Sequence, residues 1–476
     1  MPFKLRPRWL ATRGAGAAAL TVALLALSAC GADYPNSVFH SRTEFNRSTD
    51  ALFQLIIKLG VVVFILVFAL LIVTMWKYRT RPGQREPEHV HGNTTLEILW
   101  TIIPALVLLW IAIPTVKVIF QTQAPAPAGA LKVEVIGHQW WWEFNYPELG
   151  IRTANELYLP KGRTVNFDLK TVDVIHSFWI PALGGKRDLI ANRTNHIWFT
   201  PDSLTEKAFN GACVEYCGAS HANMRFRAFV VDPAEFDSWA AHQRTQSSVM
   251  LQRPVTPAAP AGGARPPATA ANNPNQPMLI QRGAQTDPTQ NMPNRGTQVA
   301  GPETPTGAAR TPIAPAVPAT SNPQPATGFT QSGYNFPTGE LPKHVASYAP
   351  TPSDLTFDEG LLAQGDAARG ADLIHNKFGG GCIGCHAIGG TNFASTLGPN
   401  LTHVASRNTI AAGLFPNDPK HLALWIKNAR RMKPGVTMPT IGAGQIDPVL
   451  KKAPMAATAL TDAQIADVVA YLRLLK

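Results

Sequence analysis

The pattern of apolar and polar positions divides the chain into segments of different kinds. Residues 15–27 are an apolar run of leucines and small residues, too short to span a bilayer, behind a basic stretch holding Lys4, Arg6, Arg8 and Arg13. Two longer runs follow. Residues 59–76 and 98–116 contain no charged side chain, each has a Trp near an end, and neither has a polar face, which predicts a two-helix transmembrane hairpin over about 53–76 and 96–120. Pro104 would break a soluble helix but is tolerated in a spanning one. From Leu131 the period shortens. LKVEVIGHQW, TVNFDLK, NHIWFT and RFRAFVV alternate and are bounded by Gly, Pro and Asn, as the strands of an all-β sandwich are. Residues 241–350 keep neither period and read as a Pro-rich disordered linker. Helical spacing returns after residue 351, with one amphipathic helix expected over 357–377 and another over 460–475, capped by Thr461.

Composition sharpens these boundaries. Of the 41 Pro residues, 19 fall within 251–350, the bias of a tether rather than a globule. The formal charge of +11 invites a nucleic-acid reading, but residues 131–240 carry −2 and residues 351–476 only +3. No folded segment is strongly basic, so no nucleic-acid partner is expected. The short loop after the first apolar run holds Lys77, Arg79, Arg81 and Arg85 against Glu86 and Glu88. That bias places the loop in the cytoplasm and everything after about residue 120 outside it. The domains expected are therefore a signal peptide (1–29), a membrane segment (30–130), a β domain (131–240), a linker (241–350) and a helical domain (351–476).

The five cysteines lie at 30, 213, 217, 382 and 385. Cys213 and Cys217 precede His221 and Met224 in one short stretch. Two thiolates, an imidazole and a thioether are soft ligands that suit copper. Zinc takes paired Cys with His but not Met, and a disulfide, which an exported domain would permit, leaves His221 and Met224 without a role. His176, between two strand-like runs, is the candidate second imidazole. Cys382-Ile-Gly-Cys385-His386 is a c-type haem attachment motif. Its two thiols meet the two vinyl groups of one macrocycle, and His386 directs an imidazole at the iron. A thioredoxin-like redox pair would lack this His and would sit in a βαβ unit.

The His176-Ser-Phe-Trp-Ile-Pro181 segment, the 213–224 stretch and Gly137-His-Gln-Trp-Trp-Trp142 together resemble subunit II of cytochrome c oxidase, over residues of about 50–240. The later motifs resemble the form with a fused C-terminal cytochrome c domain. The resemblance implies a transmembrane hairpin, a cupredoxin-like sandwich and an all-α class I cytochrome c domain. It implies a binuclear copper centre, CuA, bridged by Cys213 and Cys217. His176 and Met224 would cap one copper, and His221 and the Glu215 carbonyl the other. It further implies electron input at Trp140, a magnesium ion bound by the Glu215 side chain near Asp188 and shared with the large subunit, and Glu97 at the mouth of a proton channel. Leu27-Ser28-Ala29-Cys30 resembles a lipobox, in which Cys30 would be lipidated; an ordinary Cys after a signal is the alternative.

In the haem domain, the 433–439 stretch resembles the distal-ligand loop of class I cytochromes c. Met438, flanked by Pro434 and Pro439, is then the sixth iron ligand, with Met432 and Met455 as rivals and His403 and His421 as outsiders. Gly398-Pro399-Asn400-Leu401 resembles the stretch lying near the haem-ligating ring. Such a subunit passes electrons from an external cytochrome or other donor, through haem c and CuA, to the catalytic haem–copper subunit that reduces dioxygen and pumps protons. It would sit in the bacterial inner membrane with its metal domains on the outer side. Three alternatives remain at this point: the input subunit of a CuA-containing nitric oxide reductase, a tethered carrier without a catalytic partner, and a quinol-oxidase-type subunit, a kind that lacks the copper ligands.

Overall fold

A computed structural model describes residues 21, 37–39, 41–83, 91–202, 206–245, 334–346, 348–377, 382–389 and 395–476. The signal segment (except Thr21), Cys30, Arg85, Glu86, Glu88 and the linker between 246 and 333 lie outside the described residues.

The first apolar run lies in a helix, α1, Glu44–Lys77, and the second in α2, Thr94–Gln123. α1 therefore begins nine residues before the expected boundary at 53. Its polar first turns do not enter the apolar run but root the helix on the β domain. Thr43 caps α1 by accepting from the Asn46 N–H, and its own hydroxyl donates to the Leu183 carbonyl at 2.6 Å. The Asn46 amide donates to the Pro181 carbonyl at 2.7 Å, and the Glu44 carboxylate accepts from the Thr200 N–H at 3.0 Å. α2 runs unbroken through Pro104 and Pro114. The far end of α2 is also tied down, because the Trp198 indole donates to the Ala124 carbonyl at 2.7 Å.

The β domain then runs β1 (Leu131–His138), β2 (Trp141–Tyr146), β3 (Ile151–Ala154), β4 (Glu156–Pro160), β5 (Val165–Thr171), β6 (His176–Trp179), β7 (Arg187–Leu189), β8 (Asn195–Phe199), β9 (Ala208–Cys213) and β10 (Arg225–Val231). Among the described residues these form two five-stranded sheets, in the orders β3-β2-β1-β5-β8 and β4-β10-β9-β6-β7. Alternation sets the inner faces: Leu131, Val133 and Val135 are fully buried while the residues between them are not. Trp142, Phe144, Phe178 and Phe226 fill the space between the sheets with edge-to-face and stacked rings. Helix Pro233–Gln243 closes the domain, started by Pro233 and by a capping box between Asp232 and Glu235. Packed structure also reaches into the segment assigned to the linker. Phe336 and Val345 are buried in the β-domain core, with Phe336 stacked 4.7 Å from Phe229.

In the C-terminal domain the single helix expected over 357–377 does not form. Glu359–Leu362 and Ala367–Asp372 are separate helices, followed by a wider turn over Leu373–Lys377. Gly365 and Asp366 cause the break. Asp366 starts the second helix by accepting from the Arg369 N–H, and a Cβ on Gly365 would come within 2.5 Å of the Ala466 carbonyl. The last helix, Asp462–Leu472, has the expected Thr461 cap, completed by Gln464 as a capping box. A two-residue hairpin, Thr409–Ile410 with Phe415–Pro416, adds a small β element to a domain expected to be all-α.

Candidate metal and haem sites

The strand order gathers the sulfur and imidazole side chains. β6 opens with His176, β9 closes with Cys213, and β10 begins one residue after Met224. β6 pairs with β9 and β9 with β10, so the ends of three strands meet. Backbone bonds fix the junction: Val214 N–H to the Ser177 carbonyl at 3.1 Å, and Cys213 N–H to the Met224 carbonyl at 3.0 Å.

The side chains converge accordingly. The Cys213 and Cys217 sulfurs are 3.8 Å apart. His176 Nδ1 lies 3.8 Å from the Cys213 sulfur, and His221 Nδ1 lies 3.6 Å from that of Cys217. Met224 Sδ is 3.8 Å from the Cys217 sulfur, and the Glu215 carbonyl oxygen is 3.2 Å from that of Cys213. Each of the other four donors named from the sequence thus lies within 3.8 Å of one of the two sulfurs, with His176, Cys213 and Cys217 mutually within 4.8 Å. Burial pushes the Cys213 thiol up, but the hydrogen bonds from His176 and the loop backbone outweigh it and leave Cys213 below the usual thiol range. Burial, reinforced by the neighbouring Cys213 charge, pushes Cys217 up to about 12. Two thiolates this close repel unless a cation lies between them. A soft cation satisfies both sulfurs together with the thioether, so the donor set fits copper.

Several supporting residues escaped the sequence reading. Asp173 accepts from His176 Nε2 at 2.8 Å, which turns Nδ1 towards the sulfurs and fixes the tautomer. Asp173 is in turn held by the Gln139 and Val174 N–H groups, each at 2.7 Å. Its i−3 spacing from His176 was the available signal. Gly137 lets the backbone pass the ligand ring, since a Cβ there would sit 2.7 Å from His176 Cδ2. Gln139 and Trp140 both donate to the Cys217 carbonyl, at 2.8 and 3.0 Å. Trp140 thus touches the metal loop directly. The Glu215 side chain and Asp188 are both exposed, and Glu97 lies in the first turn of α2.

The haem motif is local. Residues 382–385 turn so that His386 N–H and Cys385 N–H both donate to the Cys382 carbonyl, at 2.9 and 3.2 Å. His386 Nδ1 donates to the Pro399 carbonyl at 2.8 Å, leaving Nε2 as the nitrogen for iron. A Cβ on Gly398 would come within 2.7 Å of His386 Cε1, so Gly398 and Pro399 form the seat for this ring. Met438 is half-buried in the distal loop, Met432 is 5% exposed and packed in the core, and Met455 is 73% exposed. His403 bonds to the Thr245 carbonyl, and His421 to Asp418 and Thr351. Arg430 braces the distal loop by donating to the Val436 and Thr437 carbonyls and pairing with Asp447 at 2.8 Å.

Comparisons with known proteins agree with this architecture. The transmembrane domain of cytochrome c oxidase subunit II matches residues 41–118, its periplasmic domain 149–231, and cytochrome c 367–476. A cytochrome c oxidase subunit 2 of Alkalihalophilus pseudofirmus is 29% identical over 79% of this chain and 76% of its own length. A probable cytochrome c oxidase subunit 2 of Rickettsia bellii is 30% identical over 40% of this chain and 76% of its own length. The solved periplasmic domain of subunit II from Bradyrhizobium japonicum is 30% identical over 25% of this chain and 96% of that domain, with a TM-score of 0.24. Two membrane helices, a periplasmic metal domain and a cytochrome c domain define a membrane-bound electron-transfer subunit. The chain belongs to the cytochrome c oxidase subunit II family, in the form that carries a fused cytochrome c domain. It is an electron-input subunit of a haem–copper oxidoreductase, it associates with other oxidase subunits, and its domains imply copper and haem as cofactors.

Proposed function

We propose that the copper is a binuclear CuA centre bridged by Cys213 and Cys217. His176, Met224, His221 and the Glu215 carbonyl complete its shell. Haem c would be held by Cys382 and Cys385, with His386 and Met438 offering the nitrogen and sulfur to its iron. The observation that carries this reading is that four further donors each lie within 3.8 Å of one of two sulfurs that are themselves 3.8 Å apart. When bound, the two groups supply the one-electron chemistry that no side chain of this chain provides. The protein's own part is to hold the ligands rigidly: strand ends fix the sulfurs, Asp173 fixes one imidazole, and Pro399 fixes the other. Rigid ligands change little between charge states, which keeps reorganisation small.

The donor would be an external cytochrome or similar carrier, and the acceptor the catalytic subunit that reduces dioxygen and pumps protons. The chain would lie in the inner membrane with both metal domains periplasmic, since Lys77, Arg79 and Arg81 follow α1 on the opposite side. Cys30 would carry a lipid, the Glu215 side chain would share a magnesium ion with the large subunit, and Glu97 would stand at a proton-channel mouth. Quinol oxidase subunits 2 of Bacillus also match this chain, at 30–31% identity. The intact copper donor set favours the cytochrome c oxidase reading over that one. Metal and haem analysis of the purified native complex tests the proposal. Two coppers per haem c, over and above the copper of a large multi-span haem–copper companion subunit, are expected; zinc in place of copper contradicts it.

A further inference from the structure

Away from both ligand sets, the β domain buries a carboxylate beside a guanidinium. Glu156 on β4 and Arg227 on β10 are register partners on parallel strands, and each is 2% exposed. Charged side chains are rarely buried so fully without partners. Here the partners come from the haem domain. Glu156 Oε1 accepts from the Asn408 N–H at 2.7 Å, the Thr409 N–H at 3.0 Å and the Thr409 hydroxyl at 3.3 Å. Arg227 Nη2 donates to the Gly413 carbonyl at 3.2 Å, and its guanidinium lies 5.3 Å from the Tyr348 ring.

The turn that delivers Gly413 is strained. Ala411, Ala412 and Gly413 have φ of 56°, 64° and +79°, three successive residues in the left-handed region. For an alanine this region brings Cβ too close to the following carbonyl oxygen, and such a turn persists only where its surroundings hold it. A second contact lies at the copper loop. Lys433 Nζ donates to the Trp140 carbonyl at 2.6 Å. A Cβ on Gly435, φ +95°, would sit 3.1 Å from Ala219 Cβ and 3.3 Å from the Trp140 ring. The 433–435 turn therefore lies on Trp140 and on the metal loop, three residues before Met438 at its near end.

We propose that Glu156 and Arg227 form a latch that keeps the haem domain docked on the β domain, with the strained 409–415 turn as its catch. The latch residues are positioning residues, and the partner of this surface is the chain's own haem domain. In consequence Trp140, half-buried beneath the 433–435 turn, is a junction inside the chain rather than a landing face for a soluble donor. An external donor then delivers to another face of the haem domain. The latch stands on the polypeptide alone; only this consequence rests on the electron-input reading.

Hydrogen–deuterium exchange on the full chain in its native complex tests the latch. The Asn408 and Thr409 amides should exchange as slowly as those of the β9–β10 ladder. Glu156→Ala leaves both donors without an acceptor, which should speed their exchange about a hundredfold while the ladder amides stay slow, showing that the β domain remains folded. Glu156→Gln keeps an acceptor oxygen and should restore protection. Fast exchange at Asn408 and Thr409 in the wild type overturns the latch. Unchanged exchange in Glu156→Ala removes Glu156 from it. Amide exchange is readable whatever the copper content, so failure of the copper reading is distinguishable from failure of the latch.

Discussion

The two ligand sites are built in opposite ways. The proposed haem attachment site is five consecutive residues, 382–386, and one turn of backbone brings them together. The proposed copper donors span 176 to 224 and meet only because β6, β9 and β10 end side by side. A local site needs little of the fold to exist, whereas a site made of strand ends exists only if the sandwich has formed. The copper site is therefore the more dependent on supporting residues, and the haem site the more dependent on a distant sixth ligand.

Substituting each site separately should give the largest effects and the sharpest contrast. Cys217→Ser is expected to abolish copper binding, measured as copper per chain, and to leave covalent haem intact. Cys382→Ser with Cys385→Ser should do the reverse. Loss of both cofactors from either variant would show that the two sites fold as one unit and break the comparison.

The sixth ligand comes next. Met438→Ala should change the haem absorption spectrum and lower the reduction potential. Met432→Ala should leave the spectrum unchanged and instead cost about 2–5 kcal/mol of stability, as truncations in a packed core do, measured by denaturant unfolding. Met455→Ala, on an exposed residue, should change neither. A spectral change in Met455→Ala or Met432→Ala would move the axial ligand there.

Support of the copper ligands should have a graded effect. Asp173→Asn removes the charge behind His176, and copper affinity is expected to fall about 10–100-fold, read by chelator competition. An unchanged affinity would mean that the sulfurs alone set the site.

The smallest effect concerns acid stability of the haem domain. Burial raises the Asp447 carboxyl, but the Leu450 and Val449 N–H groups and Arg430 more than offset it and bring it to about 2. This is below its unfolded value, so the folded domain holds its proton less tightly than the unfolded chain. The stabilisation is present above about pH 4 and is lost as pH falls towards 2. Asp447→Asn should flatten that part of the stability–pH curve, followed by haem absorbance during unfolding. An unaltered curve would contradict the Arg430–Asp447 brace.

The contrast between the sites also explains what was legible in the sequence. Cys382, Cys385 and His386 carry their geometry in their spacing. The 213–224 stretch carries its chemistry in its residue types. His176 needed only the segment around it. Asp173 did not stand out, because an acid three residues before a His has many meanings until the strands place it behind the ring. Gly137 and Gly398 have no side chain to announce a role; only the rings that pass them show why nothing larger fits. The break at Gly365 and Asp366 was hidden because close approach to the last helix is a tertiary fact. Docking of the haem domain was equally hidden. Net charges of −2 and +3 suggested only weak attraction, whereas the contact is made by buried Glu156 and Arg227 against backbone groups, which leave no trace in a charge count.

The central claim is that Cys213 and Cys217 bridge two copper ions. Electron paramagnetic resonance of the oxidised native complex tests it most directly. The account predicts a signal in which one unpaired electron shows hyperfine splitting from two equivalent copper nuclei. A spectrum of a single copper ion, or no copper signal from a metal-replete sample, would contradict it.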